Sequence, residues 1–150
     1  MTERAFMQNT RLGRGVNIIG YDGIWQDPAN GRFKQKYFKM IKQAGFQHIR
    51  VNIHAFKAMQ DTAPFTINDT FLSVLDWTVE NALANDLVVI LDMHEFVAMG
   101  KNPEELHDRF LAFWQQIAPR FKDTPDSVFF ELLNEPHAKL TEELWNVYLM

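Results

Sequence analysis

Four short apolar runs recur along the chain: Val16-Asn17-Ile18-Ile19, His48 to Ile53, Leu87 to Met93 and Val128 to Leu133. Each is rich in β-branched or aromatic residues and bounded by Gly, Asp or Pro, the pattern of a strand. Their near-continuous hydrophobicity predicts strands buried on both faces, as in a parallel sheet. Helical stripes lie between them. Phe33, Tyr37, Phe38, Ile41 and Ala44 recur at helical spacing and stop at Gly45, a C′ glycine. Phe71, Leu72, Leu75, Val79, Ala82 and Leu83 form a second stripe. Leu106, Phe110, Leu111, Trp114, Ile117, Ala118 and Phe121 form a third, opened by a cap at Asn102, a proline and two acids. Thr141-Glu142-Glu143 opens a fourth, which carries Leu144, Trp145 and Tyr148.

The order is therefore β-α repeated four times, with strand starts 32, 39 and 41 residues apart, the length of a βα unit. Strict alternation implies an α/β fold with a parallel sheet and right-handed crossovers. An open doubly wound sheet and a closed barrel both satisfy it. The loop Gly20-Tyr21-Asp22-Gly23 lacks a phosphate-cradling glycine pattern, and no Walker sequence is present. This weighs against a nucleotide-binding open sheet and against a barrel acting on a phosphorylated ligand. No linker divides the chain, so residues 1–150 read as one domain.

Polar residues inside such strands must be hydrogen-bonded or functional. Arg50 and Asn52 share one face of the second strand, with His54 next in line. Asp92 and His94 share a face at the end of the third, followed by Glu95. Glu131 and Glu135 share a face in the fourth run, which continues Asn134-Glu135-Pro136. All three become polar towards their C-terminal ends, where a barrel holds its catalytic groups. An Arg50–Glu131 pair could equally be a structural ion pair. Tyr21 and Trp25 follow the first strand in a polar loop and read as exposed aromatics able to stack on a sugar ring, with loop packing the alternative for both.

Composition narrows the picture. In 150 residues, 47% are hydrophobic and 13 are Phe, enough for a core, and the absence of Cys excludes a disulfide scaffold. A net charge of −4 without a basic cluster argues against a nucleic-acid partner. The longest apolar run is too short to span a membrane. The first 20 residues hold no apolar core of a leader, so no signal peptide is expected; cytoplasmic and mature secreted locations both remain open. No two histidines have a recognised ligand spacing, so neither metal nor cofactor is expected.

Gly15-Val16-Asn17-Ile18, Ile49-Arg50-Val51, Val89 to His94 and Phe130 to Pro136 resemble, in order and spacing, the first half of glycoside hydrolase family 5, the endoglucanase family of retaining (β/α)8 hydrolases. The Asn-Glu-Pro motif is the most specific element, and the resemblance runs from Gly15 to Tyr148. It implies a (β/α)4 half of a TIM barrel acting on a β-glucan, with Glu135 as general acid/base and Asn134 on the sugar 2-hydroxyl. Arg50 and His94 would order the carboxylates; Trp25, Tyr21 and His137 would contact substrate. The family's nucleophile, a Glu at the end of strand seven, has no counterpart in this chain.

A lone half would expose the edges of its first and fourth strands and an apolar inner face. The expectation is closure by dimerisation into a twofold, eight-stranded barrel. The third strand of the partner would then stand where strand seven belongs, making the partner's Glu95 a conceivable stand-in nucleophile, although alternation points His94 rather than Glu95 inward. The alternative is a catalytically idle half-barrel that self-assembles and at most binds sugar weakly.

Overall fold

Four parallel strands, β1 (Gly15–Ile18), β2 (His48–Ile53), β3 (Val88–Met93) and β4 (Val128–Glu131), lie side by side in chain order in a computed structural model. It describes residues 3–150. Met1 and Thr2, where the stretch expected to hold no leader and the expected 1–150 domain both begin, lie outside the described residues. The register pairs Asn17 with Arg50, Asn52 with Asp92, and Asp92 with Glu131. Because side chains alternate, the two faces of the sheet receive different chemistry. Ile49, Val51, Ile53, Val89, Leu91 and Met93 face the helices and are fully buried, each worth about 1.5–3 kcal/mol.

The helices covering that face are α2 (Lys36–Gln43), α3 (Asp69–Leu83), α5 (Pro103–Phe121) and α6 (Glu142–Tyr148). Phe71, Leu75 and Val79 of α3 and Phe110, Phe113 and Ile117 of α5 form most of the opposing layer. Gly45 ends α2 at φ +85°, with its N–H donating to Lys42 and the Phe46 N–H to Ile41, the paired closure that favours glycine. Asn68 caps α3 by accepting from the Phe71 N–H. Asn102 does not cap α5 with its side chain; its backbone ends the preceding helix instead.

Two helices lie outside the sequence expectation. The first, α1 (Glu3–Leu12), runs beneath the N-terminal ends of the strands. Arg11 donates to the Asp126 carbonyl (3.0 Å) and to Ser127 Oγ, and the Leu12 carbonyl meets His48 Nδ1 at 2.7 Å. The second, α4 (Phe96–Lys101), follows β3 directly. No described helix is long and apolar enough to cross a membrane.

The opposite face of the sheet corrects the expectation of an apolar inner surface. Its positions are Asn17, His48, Arg50, Asn52, Val88, Ile90, Asp92, Phe129 and Glu131, so polar groups dominate it. The edges of β1 and β4 carry no strand partner among the described residues, and Phe130 and Leu132 are exposed along β4.

Candidate active site

The polar positions of β2, β3 and β4 converge because the register puts Asn52, Asp92 and Glu131 in one row, with Arg50 one step below. A planar guanidinium reaching up from that step can serve several acceptors at once. Arg50 Nε and Nη2 donate to the two Glu131 oxygens, both at 2.6 Å, a bidentate fork. Nη2 also donates to Asn134 Oδ1 at 2.9 Å, and Nη1 lies 3.1 Å from Asp92 Oδ2. The Glu131 carboxylate raises the affinity of the guanidinium for its proton, against the opposing effect of burial.

Asp92 is the buried anchor of this group, with no exposed surface. Its Oδ2 accepts from Asn52 Nδ2 (2.9 Å) and also meets His94 Nδ1. Burial pushes its carboxyl up, while His94, Asn52 and Arg50 pull the other way. With Nδ1 given to Asp92, His94 turns Nε2 to the outside of the cluster. The Asn134 N–H donates to the Met93 carbonyl at 3.0 Å, continuing the β3–β4 pairing past its last strand pair. This buries Asn134 against Arg50 while the next residue swings clear. Glu135 takes φ +40°, an unfavourable backbone for a residue with a Cβ, of the kind that clusters at functional sites. It is exposed, and its carboxylate makes no hydrogen bond to a described residue.

The structure thus brings Arg50, His94, Asn134 and Glu135 to one end of the sheet. Tyr21 is 82% exposed and stacks on His54, with ring centroids 4.5 Å apart. Trp25 requires a correction: it is 7% exposed, lies against Phe71 and donates from Nε1 to the Ile19 carbonyl. Ile19 takes φ +50°, which turns the chain so that the indole enters the core. His137 is exposed beside Gly100, its Nδ1 2.8 Å from the Glu135 carbonyl. Glu95 points away from the cluster: its carboxylate accepts the Phe56 N–H at 2.8 Å, and burial pushes it up against the pull of that N–H and of Arg109 and Lys57.

Three participants were not singled out as site residues from sequence. Asp92 was legible as a carboxylate two residues before His94 on the same face. His54 stands between Tyr21 and His94, 5.2 Å from the latter. Asp22 organises the loop after β1 by accepting the N–H groups of Ile24 (3.0 Å), Arg32 (2.9 Å) and Phe33 (3.0 Å). Burial opposes its charge, but these three donors outweigh it and hold the carboxyl below its usual range.

The profile of the cellulase family (glycosyl hydrolase family 5) matches residues 10–149. The chain belongs to glycosyl hydrolase family 5. Endoglucanase H of Acetivibrio thermocellus is 29% identical over 138 residues, covering 89% of this chain and 15% of that protein. The xyloglucan-specific endo-β-1,4-glucanase of Bacteroides ovatus is 29% identical over 147 residues, covering 91% of this chain and 29% of its own. Among solved structures, Thermotoga maritima Cel5A in complex with cellobiose superposes with a TM-score of 0.84 at 40% identity, over 96% of this chain and 47% of Cel5A. The cellulose synthase subunit Z of Clostridioides difficile gives 0.81 at 34%, over 92% and 46%. The chain thus spans about half of these family 5 structures and less than a third of those two curated relatives. Its four strands and their helices match half of a family 5 TIM barrel.

Proposed function

We propose that the chain carries the acid/base half of a retaining β-glycan hydrolase site of the endo-β-1,4-glucanase type. The observation that supports this most directly is the Arg50 fork, which ties Glu131, Asp92 and Asn134 together and leaves Glu135 projecting beside them. A retaining mechanism needs two carboxyl groups about 5–5.5 Å apart. Glu135 would give its proton to the glycosidic oxygen as the leaving sugar departs, then take a proton from the water that hydrolyses the glycosyl-enzyme. Asn134 would hold the sugar 2-hydroxyl, and His94 Nε2 a neighbouring hydroxyl. The binding of cellobiose and mannotriose by Cel5A supports a β-glycan as the ligand.

The nucleophile is a separate matter. Asp92 and Glu131 are both engaged by Arg50, so neither is free to attack. A second four-stranded half must supply it, and we take that half to be another copy related by a twofold axis, joining the open edges of β1 and β4 and covering Phe130 and Leu132. The partner's Glu95 would then have to leave the Phe56 N–H to act. The competing reading is an idle half-barrel that assembles without hydrolysing, favoured by that same engagement of Glu95. Hydrolysis of soluble cellulose by the purified chain, lost in Glu135→Ala, supports the enzyme; equal inertness of both proteins sinks it for the chain alone. Full activity in Glu95→Gln removes the stand-in nucleophile. Sedimentation showing only a monomer removes the twofold assembly.

A further inference from the structure

The segment that carries Glu135, residues 134–140, is held in a backbone its sequence does not favour. A residue before proline is pushed towards extended angles, yet Glu135, before Pro136, takes φ +40°. Ala138 takes φ +55°, so two residues with a Cβ adopt left-handed angles within one short turn. Such angles persist only where the surrounding structure over-determines them. The Asn134 N–H on the Met93 carbonyl ties down one end. On the far side of Glu135 the hydrogen bonds run through His137 and α4.

His137 Nδ1 lies 2.8 Å from the Glu135 carbonyl. A carbonyl only accepts, so Nδ1 carries the proton in that bond and Nε2 is left without one in the neutral ring. The His137 carbonyl accepts the Leu140 N–H at 3.1 Å, and the Lys139 N–H donates to the Gly100 carbonyl at 3.0 Å, fastening the segment to α4. Phe96, at the start of the same helix, stands between His94 and His137, with ring centroids 5.1 and 5.7 Å away.

Gly100 lets the His137 ring lie there. Glycine is a poor helix residue, and Gly100 is not at positive φ, so no backbone angle demands it. A Cβ at this position would stand 3.0 Å from both Cε1 and Nε2 of His137 and 3.2 Å from its carbonyl oxygen, closer than ordinary van der Waals contact. The bare backbone of α4 is thus a seat for the ring.

Building on the reading of Glu135 as acid/base, we propose that His137 is a positioning residue rather than a substrate contact: its ring, seated on Gly100, holds the Glu135 carbonyl and fixes the direction in which the Glu135 side chain projects.

The first test needs no substrate. Histidine free in water favours the Nε2–H form, so nitrogen NMR of the purified chain, at a pH where the ring is neutral, should find His137 mainly as the Nδ1–H form. A dominant Nε2–H form overturns the proposal. Variants are then followed through the Glu135 amide signal and the HN–Hα coupling that reports its φ. His137→Ala should move both. His137→Asn, whose side-chain amide places an N–H donor where Nδ1 stood, should restore them. Gly100→Ala should move them by pushing the ring off its seat, and much less in the His137→Asn background, where no ring meets the methyl. Glu135 signals unchanged in His137→Ala overturn the proposal, and signals moved equally by His137→Ala and His137→Asn assign His137 to packing and also overturn it. Where the chain or its assembly hydrolyses soluble cellulose, His137→Ala should lower kcat about tenfold, the worth of one lost hydrogen bond, with KM unchanged. A raised KM at unchanged kcat marks a substrate contact and overturns the proposal. Inertness of the parent with the Nδ1–H form in place sinks the acid/base reading for the chain alone and leaves the hold of His137 on Glu135 standing.

Discussion

Replacing Arg50 by Met keeps the length of its stem and removes the charge that Asp92 and Glu131 share. Asp92 is completely buried, so its carboxylate loses the guanidinium it faces where water cannot compensate. Breaking a buried pair by removing one partner costs about 3–5 kcal/mol. Glu131 is 34% exposed and is rehydrated after the change, which places the expected loss near the lower end, about 3 kcal/mol. Asp92→Asn in the same background removes the orphaned charge and should recover part of the loss, giving a coupling of about 1–3 kcal/mol. The sign of the pH dependence follows from Asp92. Burial already raises its folded pKa, and losing Arg50 raises it further, so the folded variant binds a proton more tightly than the unfolded chain. The penalty should be present in full above the folded pKa and shrink as pH falls towards the unfolded carboxyl range, about 4. Urea unfolding followed by circular dichroism at pH 7 and pH 4.5 measures all of this. A loss below about 1 kcal/mol that is independent of pH and of Asp92→Asn would refute the account of Asp92 as an anchor held by Arg50.

Asp22→Ala leaves three backbone N–H groups without their acceptor and should cost about 1–3 kcal/mol. Because the folded pKa of Asp22 is depressed, its contribution is complete above the unfolded carboxyl pKa and lost as pH falls through the folded one; the variant's unfolding free energy should converge with the parent's in strong acid. Glu135→Gly should exceed Glu135→Ala in stability by about 1 kcal/mol in denaturant titrations, since only glycine takes φ +40° without a Cβ penalty. If the two are equal, the strain at Glu135 is not real. Trp25→Ala should lower stability by about 3–5 kcal/mol as a core truncation, and Tyr21→Ala by less than about 0.5 kcal/mol, being mostly exposed. Similar losses for both would contradict the burial of Trp25.

The βα alternation and the polar ends of β2, β3 and β4 were readable from residue order alone, because period 2 in a strand and 3.6 in a helix are local properties. The stop at Gly45 and the start at Thr141 were local for the same reason. The helix Glu3–Leu12 escaped notice because Phe6 and Met7, its bulkiest apolar residues, remain exposed, so no buried stripe marks it. The short helix after β3 is only six residues long, below the length at which periodicity separates helix from loop.

The residue types of the site were likewise present in the sequence, and alternation alone set His94 inward and Glu95 outward. What alternation could not supply was the partnership. That one guanidinium would hold Asp92, Glu131 and Asn134 together depends on the register between three strands whose residues lie some forty positions apart. Where the strands end, the backbone leaves the period: Ile19 and Glu135 take positive φ, one sending Trp25 into the core and the other setting Glu135 in the open. Sequence determined which chemical groups stand at the ends of the strands. Tertiary structure decided which of them touch, because that is fixed by inter-strand register and by a few backbone angles beyond the last strand pair.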